Sequence, residues 1–131
     1  MLSKQEHIEY WLKSANDDWE AVHHLFNNKK YVQALFFCHL VLEKMLKANW
    51  VKNNDNNTPP RTHNLVRLAK ETQLNLTEEE LLFLEEFNDF QIEGRYPDYL
   101  FAIHSRCNLQ YTQNLISQVN ELIECLHKKM Q

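Results

Sequence analysis

Apolar residues recur at intervals of three and four along most of this chain, which is the repeat of amphipathic helices. The stretch 31–50, YVQALFFCHLVLEKMLKANW, is apolar on two sides, and a polar row of His39, Glu43 and Lys47 runs among the apolar residues of one side at a spacing of four. As one helix it would be roughly 30 Å long. Because it is apolar over most of its circumference, we predict that it is the axis of the protein.

Helix start signals place further helices around this axis. Ser3 and Glu6 have the spacing of a capping box, so an amphipathic helix is predicted to begin there and to run antiparallel to the central helix after a short polar turn. Thr77 and Glu80 form a second predicted capping box, for a helix that should end near Gln91.

The remaining segments predict one short helix, one long helix and an irregular connection. Thr62 is the predicted N-cap of a short helix over 63–73. The last helix is predicted over about 108–129, with an apolar stripe and lysines at its C-terminal end. Residues 92–107 hold the only glycine and a proline and have no clean helical period, so an ordered irregular connection is expected there.

The composition favours one all-α domain covering residues 1–131. A chain of 131 residues with one glycine and three prolines has too few turn residues for an antiparallel sheet, and it is long enough to bury a single core without metal or disulfide support. The three cysteines form no CxxC pair, and no histidine and carboxylate spacing resembles a metal site. No metal, cofactor or disulfide is therefore expected.

Charge and hydropathy further narrow the class of protein to which the chain can belong. The net charge of −4 argues against a general binder of duplex nucleic acid, although a local basic pocket stays open. No apolar run reaches the length of a membrane span, and the N-terminus has no signal-peptide pattern. We expect a soluble, cytoplasmic protein.

Three phrases in this order resemble the HEPN family: FFCHLVLEKMLKA at 36–48, PPRTHNLVRLA at 59–69 and FQIEGRYPDY at 90–99. The resemblance covers nearly the whole chain. It implies an up-and-down bundle of about five helices, with a four-helix-bundle core, that is often a homodimer. It also implies a cytoplasmic prokaryotic protein that is frequently paired with a minimal nucleotidyltransferase in toxin–antitoxin-like or antiviral systems.

Family resemblance leaves more than one function open. Several HEPN branches are metal-independent RNases with an Arg-x(4–6)-His motif, and others are non-catalytic subunits that bind a nucleotide or a partner. Here eight residues separate Arg95 from His104, and one separates Arg61 from His63. This departure favours a non-catalytic subunit. The alternatives are an RNase that uses Arg95 with His104 or His63, and a structural oligomerisation module.

The polar row of the central helix is the first candidate site. His39, Glu43 and Lys47 share one face, and Glu43 precedes Lys47 in the favourable order for an ion pair. Their apolar neighbours predict partial burial, where a charge needs a partner. That partner could be another helix, a second subunit or a ligand.

The second candidate site follows the fourth predicted helix. Arg95 is suited to grip a phosphate and Tyr96 to stack on a base, while Asp98 could instead pair with Arg95 in a structural latch. His63, which lies beside the predicted cap, could likewise bind an anion or have a structural role. In the nucleotide-binding hypothesis, Lys47 and Arg95 hold phosphate in one cleft between the central helix and the 92–107 connection.

Overall fold

In a computed structural model, which describes residues 1–131, the chain forms six α-helices, one short 3₁₀ helix and no strand. The prediction of an all-α fold is confirmed. The α-helices are α1 (Lys4–Asn27), α2 (Tyr31–Asn53), α3 (Leu65–Glu71), α4 (Glu78–Phe87), α5 (Pro97–Arg106) and α6 (Leu109–Lys129). The 3₁₀ helix, Asn88–Phe90, continues directly from α4. None of these helices combines the length and the apolarity that crossing a membrane requires.

Helix α2 is the axis of the fold, as the hydrophobic pattern predicts. It packs against α1, α3, α5, α6 and the 3₁₀ helix, and most of its residues from Val32 to Val51 are buried. Two contacts show that α1 runs antiparallel to it: the Lys4 ammonium donates to the Val51 carbonyl at 2.5 Å, and the Lys44 ammonium lies 2.6 Å from the Asp18 carboxylate.

The two predicted capping boxes are both present. Ser3 and Glu6 exchange hydrogen bonds between side chain and backbone at the start of α1, and Thr77 and Glu80 do the same at the start of α4. Asn108 caps α6 by accepting from the Tyr111 amide at 2.9 Å. These helices begin where the sequence predicts because short polar side chains satisfy their free backbone amides.

Prediction of Thr62 as the cap of α3 was wrong. The helix begins at Leu65, and the Asn64 carboxamide oxygen accepts from the Val66 and Arg67 amides at 3.1 and 3.2 Å. Thr62 lies two residues before Asn64, and its hydroxyl accepts a hydrogen bond from the Asn64 amide. Asparagine ranks above threonine as an N-cap, and here it also accepts from the Asn88 side chain, which fixes its orientation.

Substituting Asn64 with alanine should therefore destabilise the protein by about 1 to 2 kcal/mol, as loss of a strong N-cap does. The matched Thr62→Ala change should cost no more than about half as much, because Thr62 holds a turn and not the helix end. Urea denaturation of both variants compares them directly. An equal or larger loss for Thr62→Ala would mean that Thr62 sets the start of α3.

The prediction of an irregular connection over 92–107 was also wrong for most of its length. Residues 97–106 form α5, which brings the number of α-helices to six. Pro97 occupies the first turn, where its missing amide costs nothing. Only Ile103 of this helix is buried, which is why no helical period marks it in the sequence. The irregular part is confined to Cys107 and to residues 92–96, which include the turn at Gly94, where φ is +75°.

Candidate functional site

Four of the predicted site residues come together on α2 and on the segment that follows it. The Glu43 carboxylate lies 3.1 Å from the Lys47 ammonium through one oxygen and 2.7 Å from Nδ1 of His63 through the other. His39 lies one helical turn before Glu43 and has no exposed surface. We call His39, Glu43, Lys47 and His63 the Glu43 cluster. Its Glu43–Lys47 pair is the one that the spacing predicts, and His63 adds a partner from a separate segment.

The charges of the Glu43 cluster are matched within the protein. The side chains of Glu43 and Lys47 are 6% and 10% exposed, and the Lys47 ammonium also lies 5.1 Å from the centre of the Trp11 ring. Such a cation over an indole face is stabilised by the ring quadrupole. Both charges therefore have a partner within the protein. Sequence reasoning missed Trp11 here because its spacing is that of an ordinary core position on α1.

His39 is the least satisfied member of the cluster. Neither of its ring nitrogens has a hydrogen-bond partner. Burial lowers the pKa of His39 to about 4, while the Glu43 charge, the His63 backbone and the Asn88 side chain act in the opposite direction without reaching hydrogen-bond geometry at the ring. The imidazole is therefore neutral at pH 7.

Arg95 occupies an open surface near the start of α5. Its Nε donates to the Gln91 carbonyl at 3.2 Å, and its guanidinium carbon lies 4.5 Å from the centre of the Tyr99 ring. The Tyr99 hydroxyl in turn donates to the Asp89 carbonyl at 2.6 Å, so the ring is itself held. The two terminal nitrogens of Arg95 have no partner, and the guanidinium is fixed in place but free to bind.

The neighbours of Arg95 are exposed as well. Tyr96 is 83% exposed, and Asp98 lies in the first turn of α5, where the helix macrodipole favours its charge. No ion pair joins Asp98 to Arg95, so the latch considered from sequence does not form; the cation stacks on Tyr99 instead. We call Arg95, Tyr96, Asp98 and Tyr99 the Arg95 surface. Its arginine and aromatic rings are suited to a phosphate and a flat ring.

The predicted site residues thus fall into two sets. No hydrogen bond or ion pair joins Arg95, Tyr96 or Asp98 to any member of the Glu43 cluster, and none joins Arg95 to a histidine. Lys47 is buried and paired, whereas Arg95 is exposed and unpaired at its terminal nitrogens. The terminal nitrogens of Arg95 are therefore available to a ligand, whereas the Lys47 ammonium is engaged within the protein.

An all-helical domain of this size, with a buried polar row on its axial helix and an exposed arginine beside α5, is a small helical bundle. A sequence model of the HEPN domain matches residues 8–130, nearly the whole chain. The chain belongs to the HEPN domain family, and the assignment predicted from the three phrases is confirmed. Comparisons with curated proteins and with solved structures found no match.

Proposed function

We propose that this HEPN-domain protein is a non-catalytic subunit that binds a nucleotide or a partner, works as a homodimer in the cytoplasm and associates with a minimal nucleotidyltransferase in a toxin–antitoxin-like system. The homodimer, the location, the partner and the system are proposed from the family. The nucleotide site is proposed from the geometry of the Arg95 surface.

The observation that carries the nucleotide site is the state of the Arg95 guanidinium. A hydrogen bond through Nε and stacking on Tyr99 hold it, yet both terminal nitrogens are free. Holding the group in advance lowers the entropy lost on binding, and two free nitrogens can donate to a phosphate together. Exposed Tyr96 adds a face for a base or a ribose.

The Glu43 cluster supports a structural role more than a ligand role. Taking Lys47 as a phosphate ligand would leave the buried Glu43 carboxylate with His63 alone, and an unpaired buried charge is costly. The RNase alternative gains no support from contacts, since neither His63 nor His104 bonds to Arg95. Binding at the Arg95 surface is the reading that the geometry favours.

A thermal-shift screen tests this proposal. The full chain is heated with ATP, GTP, ADP, GDP or a short single-stranded RNA, in parallel with Arg95→Ala and with Arg67→Ala as the matched control. Arg67 is also exposed, but it is engaged with Glu71. A ligand at a hundred times its dissociation constant should stabilise the protein by about 2.7 kcal/mol, a shift of several degrees.

The expected result is a shift with at least one nucleotide that Arg95→Ala abolishes and Arg67→Ala leaves intact. A shift that survives in Arg95→Ala would move the ligand away from this surface. The absence of any shift in the unmodified chain would contradict the nucleotide site and leave partner binding as the function to pursue.

A further inference from the structure

A long groove runs between α4 and α6, outside both sets of site residues. Two depressions of about 120 and 300 Å³ lie along it, and each is lined by residues of both helices. Phe83 lines both, so the two depressions are adjacent. The α6 wall extends from Tyr111 to Leu122, which is about 17 Å of helix.

Apolar side chains form the floor of this groove. Phe83 from α4 and Tyr111, Leu115 and Leu122 from α6 line it, and all but Leu122 are only partly buried. Incompletely covered aromatic and aliphatic groups in a row are typical of a surface that binds another apolar element. A groove about as long as three helical turns fits an amphipathic helix better than a small ligand.

Carboxylates flank the larger depression. Glu79 and Glu80 stand on the α4 side and Glu121 on the α6 side. Glu80 is used by the Thr77 capping box and by the Cys125 thiol, but Glu79 and Glu121 have no ion pair or side-chain hydrogen bond. Arg106 is the one cation that lines these two depressions, and it is paired with Asp89.

We propose that this groove binds an amphipathic helix of a partner protein, whose apolar stripe covers Phe83 and Leu122 and whose lysines or arginines meet the unpaired carboxylates beside them. Charge complementarity selects this occupant: an acidic helix or a nucleic acid would be repelled by these carboxylates, and an uncharged apolar helix would leave them unpaired. The proposal does not depend on nucleotide binding at the Arg95 surface.

Fluorescence anisotropy with labelled model helices tests the groove on the full chain. The probe is a peptide of about 18 residues with leucine and lysine in amphipathic order, which is long enough to span the groove. A glutamine/lysine peptide keeps its charge without the apolar stripe, and a leucine/glutamate peptide keeps the stripe with reversed charge. Glu121→Lys alters the groove, and Glu20→Lys makes the same change at an exposed, unpaired position on α1.

The leucine/lysine peptide should bind, and each of the other two peptides should bind at least about tenfold more weakly. Glu121→Lys should weaken binding of the first peptide about tenfold, whereas Glu20→Lys and Arg95→Ala should change it by less than about twofold. Circular dichroism melting of each variant confirms that the fold persists.

Three outcomes overturn the proposal. One is no binding of the leucine/lysine peptide; another is equal weakening by Glu121→Lys and Glu20→Lys, which would show attraction to net charge alone. The third is a homodimer in sedimentation that Glu121→Lys dissociates and the peptide fails to displace, since the groove would then belong to a second copy of this chain.

Discussion

Replacing Glu43 with alanine is expected to lower the free energy of unfolding by about 3 to 5 kcal/mol, the range found when one partner of a buried ion pair is removed. Glu43 alone joins Lys47 to His63, and the side chains of Glu43 and Lys47 are 6% and 10% exposed. Without the carboxylate, the Lys47 ammonium keeps only the Trp11 ring as a favourable neighbour. A charge left in this position is poorly solvated.

Chemical denaturation of Glu43→Ala measures this loss. Glu71→Ala is the matched control, because it removes the same kind of partner from an exposed pair with Arg67 and should cost no more than about 0.5 kcal/mol. The double variant Glu43→Leu, Lys47→Met should recover most of the stability, since it removes both charges. A loss below about 1 kcal/mol in the single variant would show that water reaches the cluster.

Acidification should destabilise the protein through His39. The pKa of this buried imidazole is about 4 in the folded state and near its ordinary value of 6.5 when the chain unfolds. Between these values the unfolded state binds more protons, so stability is lost as the pH falls from about 6.5 to about 4. The loss from His39 alone should be about 3 kcal/mol, because the imidazole binds a proton in the unfolded chain over this range while burial keeps it neutral in the folded protein.

Comparison of pH-dependent denaturation between the unmodified chain and His39→Leu isolates this contribution from the neighbouring His63–Glu43 pair. The variant should have a flatter curve between pH 6.5 and 4 and should be no less stable at pH 7, because it buries no unsatisfied nitrogen. His24→Gln, at an exposed position on α1, is the matched control substitution. Identical curves for His39→Leu and the unmodified chain would assign the acid sensitivity to other groups.

Local signals account for the parts of the fold that the sequence predicts correctly. A capping box needs only residues three apart, and α2 has apolar residues on so many sides that it has to be central. Helix α5 lacks such a signal, because burial of Ile103 alone gives no period. The local sequence offers both Thr62 and Asn64 as the cap of α3. The contact of Asn64 with Asn88, a residue distant in sequence, favours Asn64.

The candidate sites likewise contain contacts that the sequence predicts and contacts that it does not. Spacing alone predicts the Glu43–Lys47 pair, but the contact of Glu43 with His63 joins residues twenty positions apart across a loop, and no pattern encodes it. Arg95 precedes Tyr96, the N-cap of α5, so its stacking on Tyr99 does not follow from a helical spacing, and no sequence pattern predicts it.

Nitrogen-15 correlation NMR of the full chain, titrated with the nucleotide that gives the largest thermal shift, tests the central claim most directly. Gly94, the only glycine, gives a distinctive amide signal beside Arg95, and the Trp11 indole N–H reports on the surroundings of Lys47. Binding at the Arg95 surface predicts shifts of the amide signals of Gly94, Arg95, Tyr96, Asp98 and Tyr99, with the Trp11 indole signal unchanged. A ligand that moves the Trp11 indole and leaves Gly94 in place would bind at the Glu43 cluster and contradict the account.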